Sequence, residues 1–329
     1  TLGNEELTWE KHYALNLGLD IGLFSRVNVS LDWYTRTTKD LLMSKQLNSI
    51  SGFSSLLTNV GQMRNTGVEL EVRSNNIKTK DFSWTTAFNL SHNKNKILKL
   101  ADLPWFVDGR YVRKEGYPFN TIYLREYAGV DPETGSALYY DNQQDENGNY
   151  TKNKVTDPGQ ASPIPLKDIT PTISGGFMNT FNYKFIDLSF NLSYSFGGYS
   201  YDNASYILQD DGYSVISNKS TEQRRRWQKP GDITDVPRFV YGNKKGGNYN
   251  SSRAIHSTDH IRLKSLILGL NAPKAWLQKL GIGNARIYFS GTNLLTWAAY
   301  DQYDPEMSGV VGFYTPPLKT YAFGLELKF

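Results

Sequence analysis

YAFGLELKF, residues 321–329, sets Tyr321, Phe323, Leu325, Leu327 and Phe329 on one parity and Ala322, Gly324, Glu326 and Lys328 on the other. Successive side chains of a strand point to opposite faces, so the stretch predicts a β-strand with one apolar face and one face of small or charged groups. It ends on an aromatic. The closing strand of an outer-membrane β-barrel reads this way. A strand of a water-soluble sandwich can alternate too, so the decision rests on how often the pattern returns.

It returns along most of the chain. In IDLSFNLSYSF, 186–196, the even positions from Ile186 to Phe196 are apolar or aromatic and the odd ones are Asp187, Ser189, Asn191, Ser193 and Ser195. That length matches a tilted membrane strand, for which about 9–11 residues suffice. Tyr13 to Leu23 and Val27 to Trp33 alternate in the same way, as do Val68, Leu70 and Val72 against Glu69, Glu71 and Arg73. Phe82 to Leu90, Phe177 to Phe185 and Ile287 to Trp297 complete the set, with Asn179 the misfit within Phe177 to Phe185. HIRLKSLILGL, 260–270, changes phase: Ile261 and Leu263 are odd, Leu266, Leu268 and Leu270 even, which predicts a β-bulge near Lys264–Ser265 or a strand that leaves the bilayer there.

Composition agrees once the period is known. Mean hydropathy is −0.51, and no apolar run approaches the ~18 residues of a membrane helix. A barrel hides its hydrophobicity by alternation. Aromatics make up 14% of the chain, with 22 Tyr and 7 Trp, as interfacial girdles require. There is no cysteine, hence no disulfide framework or thiolate metal site, and the interspersed charge, net +4, gives no nucleic-acid footprint. The polar opening TLGNEELTWE is no signal peptide, which fits a processed outer-membrane protein or a piece of a longer one.

The connections sort by length. With the last strand running inward, 20–26, 74–81, 184–185 and 273–284 fall on the short-turn side, and 46–61, 98–169, 199–254 and 298–318 on the long-loop side. The predicted fold is therefore all-β, an antiparallel transmembrane β-barrel. Nine strands are an odd count that cannot close in the usual antiparallel way, and an open edge in lipid costs several kcal/mol per unpaired group. The chain is expected to be the C-terminal part of a larger barrel.

The segments at 65–98, 115–141 (EGYPFNTIYLREYAGVDPETGSALYYD), 293–309 (NLLTWAAYDQYDPEMSG) and 314–329 (YTPPLKTYAFGLELKF) resemble, in this order, the C-terminal region of SusC/RagA-type TonB-dependent transporters of the Bacteroidota, and 7–42 is similar to the stretch preceding it. The resemblance implies a multi-pass barrel of about 22 strands in the bacterial outer membrane. It further implies an N-terminal plug, a SusD-like surface lipoprotein as lid, TonB as the energy-coupling partner, and active import of an oligosaccharide or peptide without cofactor or chemistry. The chain itself shows no plug, TonB box or earlier strands, so domain 1–329 is expected to be barrel wall and loops only. A non-transporting scaffold or adhesin barrel is the alternative.

Within that frame, inward Glu69, Glu71, Arg73, Asp187 and Arg286 are expected to face the lumen or grip the plug, while Phe323, Leu325, Leu327 and Phe329 carry the closing-strand pattern toward outer-membrane lipid. Candidate ligand contacts in the two longest loops are Trp105, Tyr111, Tyr139, Tyr140, Tyr206, Tyr213, Trp227 and Tyr241, since aromatic faces stack on sugars or flank peptides; knitting the loops together or contacting the lid is the alternative role. VDPETG, 130–135, predicts a tight turn. DENGN, 145–149, also reads as a turn, because an EF-type calcium loop would need an acid where Lys154 stands. Arg224, Arg225 and Arg226 suit an anionic ligand or an acid-paired loop. His12, His92, His256 and His260 have no metal spacing, and no nucleophile–base arrangement stands out, so the chain does not read as an enzyme.

Overall fold

The computed structural model describes residues 3–53, 55–100, 104–243, 250–278 and 281–329. Nine strands form one sheet, each hydrogen-bonded to the next in chain order: β1 Lys11–Leu23, β2 Val27–Gln46, β3 Ser55–Lys78, β4 Phe82–Leu100, β5 Ile173–Tyr183, β6 Ile186–Phe196, β7 His260–Asn271, β8 Asn284–Ala298 and β9 Thr320–Lys328. Every neighbouring pair is antiparallel. Within this chain β1 and β9 are sheet edges, each with one side unpaired.

Register places apolar residue against apolar residue from one edge to the other. Leu17 pairs with Trp33, Trp33 with Val68, Leu70 with Leu90 and Phe88 with Phe177. Beyond these, Phe177 pairs with Leu192, Leu192 with Leu263, Leu263 with Leu295 and Ile287 with Leu325. A continuous apolar band results, and it is left open to the surroundings: Leu17 is 60% exposed and Phe323 82%. Asp32, Glu69, Asn89, Ser189 and Arg286 belong to the other parity. Each cross-strand pair contributes about 0.2–1 kcal/mol, so a one-residue slip that reversed the faces would forfeit the whole series.

The phase change in β7 is a bulge at Lys264, where the sequence places it. Against β6, Asn191 pairs with Ser265 and Leu192 with Leu263, leaving Lys264 without a partner position. The other neighbour accommodates it with its own irregularity: Leu263 pairs with Leu295 but Ser265 with Thr292, and Asn293 between them has φ 53°.

Turns at one end are tight. Phe24 and Ser25, both at φ 52°, close β1–β2, and Lys184 at φ 51° opens the two-residue turn between β5 and β6; left-handed backbone here matches the twist of the paired strands. The end is completed by 79–81 and by 272–283, which contains the short helix Lys274–Leu277. At the other end lie 47–54, 101–172, 197–259 and 299–319. The expected loop 46–61 is corrected: β2 and β3 run on as a paired ribbon to Gln46 and from Ser55. Strands of 20, 24 and 19 residues in β2, β3 and β4 exceed the ~9–11 that cross a bilayer, so their outer parts stand in water. Polar residues on both faces of that extension hide its period from the sequence.

The long loops fold into their own layer. Segment 101–172 builds a four-stranded sheet from Trp105–Asp108, Tyr111–Lys114, Thr121–Leu124 and Ile164–Asp168, and a three-stranded one from Tyr127–Val130, Ala137–Tyr140 and Lys154–Val155. Tyr199–Asp202 pairs with Ile255–Ser257 and, in parallel, with Gly309–Val311, which ties the second loop to the third. Ile122, Leu124, Tyr201 and Ala254 form one small core under these sheets, and Ala137, Tyr139 and Ala161 another. Parts of the two longest expected loops, 101–103 and 244–249, lie outside the described residues, as does 279–280 in the long turn.

Candidate functional site

Two surfaces offer themselves: the polar face of the wall and the loop layer above it. On the wall, strand alternation puts Asn16, Asp32, Arg36, Glu69 and Asn93 around a cavity of about 380 Å³. Tyr34 lies flat over Gly67, whose missing side chain makes room for the ring, and donates its hydroxyl proton to Asn93 Oδ1 at 3.0 Å. Asp32 and Glu69 are direct cross-strand partners, an unfavourable like-charge pair unless a cation is close, and Arg36 lines the same cavity.

The five residues expected on this face do lie on its parity, but four are already paired. Arg73 Nε donates to Glu71. Arg286 Nη2 donates to Asp187 Oδ2 at 2.7 Å, spanning the intervening β7 above Gly269, and Asn271 Nδ2 adds a bond to Asp187 Oδ1 at 2.8 Å. These four are tied to one another within the wall. Among the described residues, Glu69 has no such tie.

The loop layer divides the eight candidate aromatics sharply. Tyr139 is fully buried, with Tyr127 edge-on at 5.9 Å, so it is a core residue and not a surface contact. Tyr111 and Tyr206 pack against the Ile122–Tyr201 core. Tyr140 lies under the Lys152 ammonium, 5.0 Å from the ring centre. Trp227 covers Gly135 and donates its indole proton to Pro132 O at 2.7 Å, clasping the second loop onto the first. Only Trp105, Tyr213 and Tyr241 show large free surface, 44%, 52% and 78%.

The predicted turns form as read. Asp131 accepts from Glu133 N and Thr134 Oγ1 at 3.0 and 2.6 Å while Gly135 takes φ 68°, and the hydroxyl bond holds the Asp131 carboxyl below its ordinary value. Asp145 caps its own turn by accepting from Asn147 N and Asn149 N. Arg225 pairs with Glu222 and Asp235, the acid-paired alternative for the arginine run. Among the described residues, no three acidic or histidine side chains converge on a metal position.

Sequence reasoning missed the third loop, 299–319. Arg262, only 3% exposed, donates to Asp304 Oδ2 at 2.8 Å and to Glu306 Oε2 at 3.0 Å, and Lys264, displaced by the bulge, reaches Glu306 at 2.6 Å. The bulge thus aims a second cation at the loop. Nearby, Tyr300 stacks on His256 with ring centres 3.7 Å apart and donates to Asp202 Oδ2 at 2.9 Å. Burial pushes the Tyr303 hydroxyl up to about 12 and holds His256 below its ordinary value, against the pull of Asp202. Between β8 and this loop opens a cavity of about 850 Å³ lined by Trp297, Tyr303, Tyr314, Asp301 and Arg262 among others. The one signal in the sequence was the coincidence of the phase change at Lys264 with the acids of DPE, 304–306. A deeper ion pair, Arg253 with Asp211, fixes the second loop; burial opposes the guanidinium charge but the adjoining carboxylate outweighs it and raises its pKa.

The profile of the TonB dependent receptor-like β-barrel family matches residues 1–151. TonB-dependent receptor P3 of Formosa agariphila is 34% identical over 99% of this chain and 35% of its own length. TonB-dependent receptor SusC of Bacteroides thetaiotaomicron is 29% identical over 99% of the chain and 32% of its own. In three dimensions the chain superposes on the RagAB peptide transporter with a TM-score of 0.88 and 32% identity, covering 100% of this chain and 36% of that one. The chain spans about a third of the length of the relatives it matches. With its banded strands, short turns and tall loops, it belongs to the SusC/RagA-like TonB-dependent receptors and forms C-terminal β-barrel wall in the bacterial outer membrane.

Proposed function

We propose that this chain is the C-terminal part of an active importer of oligosaccharides or peptides, working with a SusD-like lipoprotein lid and energised through TonB. The observation that carries the reading is the wall itself: a nine-stranded sheet with an apolar band on one face, a polar face on the other, and both edges unpaired. Unpaired backbone groups in hydrocarbon are untenable, so a wall with these edges needs further strands to close it; the likeness to SusC/RagA-type receptors supports a barrel of about 22 strands, wide enough to hold a plug. The SusC match and the resemblance to the RagAB peptide transporter support a nutrient-sized ligand and a lid.

In this reading the polar wall around Asp32, Arg36 and Glu69 faces the plug and passing ligand. Of the eight candidate aromatics, Trp105, Tyr213 and Tyr241 are the ones free to meet ligand or lid. The transport cycle moves a ligand without bond making or breaking, so no residue here is assigned a chemical step.

Uptake by cells carrying the intact receptor tests this. Growth on, or accumulation of, a candidate oligosaccharide or peptide is expected to stop when the receptor, its lipoprotein partner or TonB is deleted. Tyr241→Ala with Tyr213→Ala is expected to weaken ligand or lid binding several-fold while the unheated barrel keeps its compact electrophoretic form. Uptake that persists without TonB would overturn active import and favour a scaffold or adhesin.

A further inference from the structure

We infer that the lipid-facing side of this wall carries a built groove for one acyl chain of a membrane phospholipid, at the end where the turns are short. The groove, about 520 Å³, is lined by Phe185 of the β5–β6 turn, Leu270 of β7, Ala285 and Ile287 of β8, Leu325 of β9 and Trp276 of the helix Lys274–Leu277. Its only polar side chain is Asn271, whose amide is committed to Asp187 on the opposite face of the sheet. The lining is therefore apolar in effect as well as in composition.

Two observations make it a site and not simply more lipid-exposed surface. The wall residues that line it share the outward parity of the apolar band and pair in register, Leu270 with Ile287 and Ile287 with Leu325, so the groove is continuous with the surface that lipid already covers. The turns 24–26, 79–81 and 184–185 are tight, whereas 272–283 includes a helical turn anchored by Leu277, 5% exposed, that carries Trp276 outward as a third wall. Strand surface alone offers a tail one side of contact; here it meets protein on several. Between tail and tail there is no hydrophobic gain, so added van der Waals contact is what retains one chain over its neighbours. Trp276 is 69% exposed at the turn end of the strands, and an indole at a membrane interface keeps its ring in the tails while its N–H reaches the headgroups. Short turns face the periplasm, so the lipid comes from the inner leaflet of the outer membrane.

The test uses the intact receptor reconstituted with phosphatidylethanolamine carrying a diazirine in its acyl chain. After photolysis, label is expected to concentrate on 270–276, 285–287 and 325, well above equally outward positions such as Leu17 and Leu31. Ala285→Phe fills the groove and keeps the face apolar, and it is expected to cut that labelling several-fold. Should that variant fail to assemble, Trp276→Ala, in the turn outside the ladder, is expected to show the same loss. Labelling spread evenly along the band, or unchanged in the variant that assembles, overturns the proposal. So does native mass spectrometry in which detergent or an apolar peptide is retained there and phospholipid is not.

Discussion

Trp84 and Asn179 meet on the apolar face of the wall: the indole Nε1 donates to Asn179 Oδ1 at 2.8 Å, and Thr86 Oγ1 donates to the same oxygen at 2.7 Å. Asn179 is 2% exposed, screened by rings that include Phe181, stacked 5.5 Å from Trp84, and Phe190, its cross-strand partner. The misfit in the alternation is therefore the acceptor that lets a tryptophan and a threonine occupy a lipid-facing surface. Its own Nδ2 is buried without a partner, which lowers the net benefit. Asn179→Ala orphans two donors and is expected to destabilise the barrel by about 1–3 kcal/mol in denaturant unfolding from vesicles. Asn179→Leu combined with Thr86→Val is expected to recover part of that. Greater stability for Asn179→Ala alone would show that the unpaired Nδ2 dominates.

Glycines under crossing side chains should differ in tolerance. A Cβ at Gly269 would lie 2.4 Å from Asp187 Oδ1 and 2.7 Å from Arg286 Nε, both ends of movable side chains. Gly269→Ala is expected to push the pair apart at roughly 1 kcal/mol, in the range of a partly exposed ion pair. At Gly175 the new atom would sit 2.1 Å from the backbone carbonyl of Asn89 and 2.4 Å from the Tyr194 hydroxyl that bonds that carbonyl. The Tyr194 ring can swing away, but the carbonyl cannot step aside without breaking the β4–β5 ladder, so Gly175→Ala is expected to impair assembly outright. The fraction of protein migrating as unheated, compact barrel reads both.

Arg262 is the hinge pin of the third loop. Arg262→Ala would leave Asp304, with a 6% exposed side chain, buried and uncompensated, a loss of about 3–5 kcal/mol for a pair of this kind. The penalty belongs to the loop, because Arg262 keeps its backbone pairing to Ser193 and Thr296 whatever its side chain. Hydrogen exchange is expected to accelerate across 299–311 and to stay slow in β9. Lys264→Ala, removing a one-third-exposed partner, is expected to do much less, about 1 kcal/mol or below.

Legibility in the sequence follows the physics of periodicity. The wall could be read because a face in lipid and a face in water force alternation, and even its defects were visible: Lys264 as a shift of parity, Asn179 as a polar residue on the wrong side. The turn 130–135 was readable because proline and glycine restrict the backbone locally. Loop aromatics carry no such signature. Tyr139 and Tyr241 look alike in the sequence, yet one is fully buried and the other 78% exposed, since folding of the loop layer depends on contacts such as Tyr127 with Asp235 that are far apart in the chain. The Asp304–Arg262 clamp was hidden for the same reason.

His256 gives the loop layer a pH dependence whose sign can be stated. Burial disfavours its protonated form, with Asp202 opposing only in part, so the folded-state pKa lies below the ordinary 6.5. Above pH 6.5 the ring is neutral in both states and nothing is lost. As pH falls below 6.5 the unfolded segment takes up a proton that the folded one refuses, so stability declines through that window and levels off once the folded ring also titrates. The stack on Tyr300, 3.7 Å between ring centres, and the buried, unpartnered Nε2 are the contacts at stake. Hydrogen exchange or limited proteolysis of the 197–259 and 299–319 loops at pH 7.5 and 5.5 is expected to show loosening at the lower pH in the native protein. The loosening should be absent in His256→Phe, which keeps the stack but cannot titrate. An equal response in both proteins would locate the pH sensitivity in other groups.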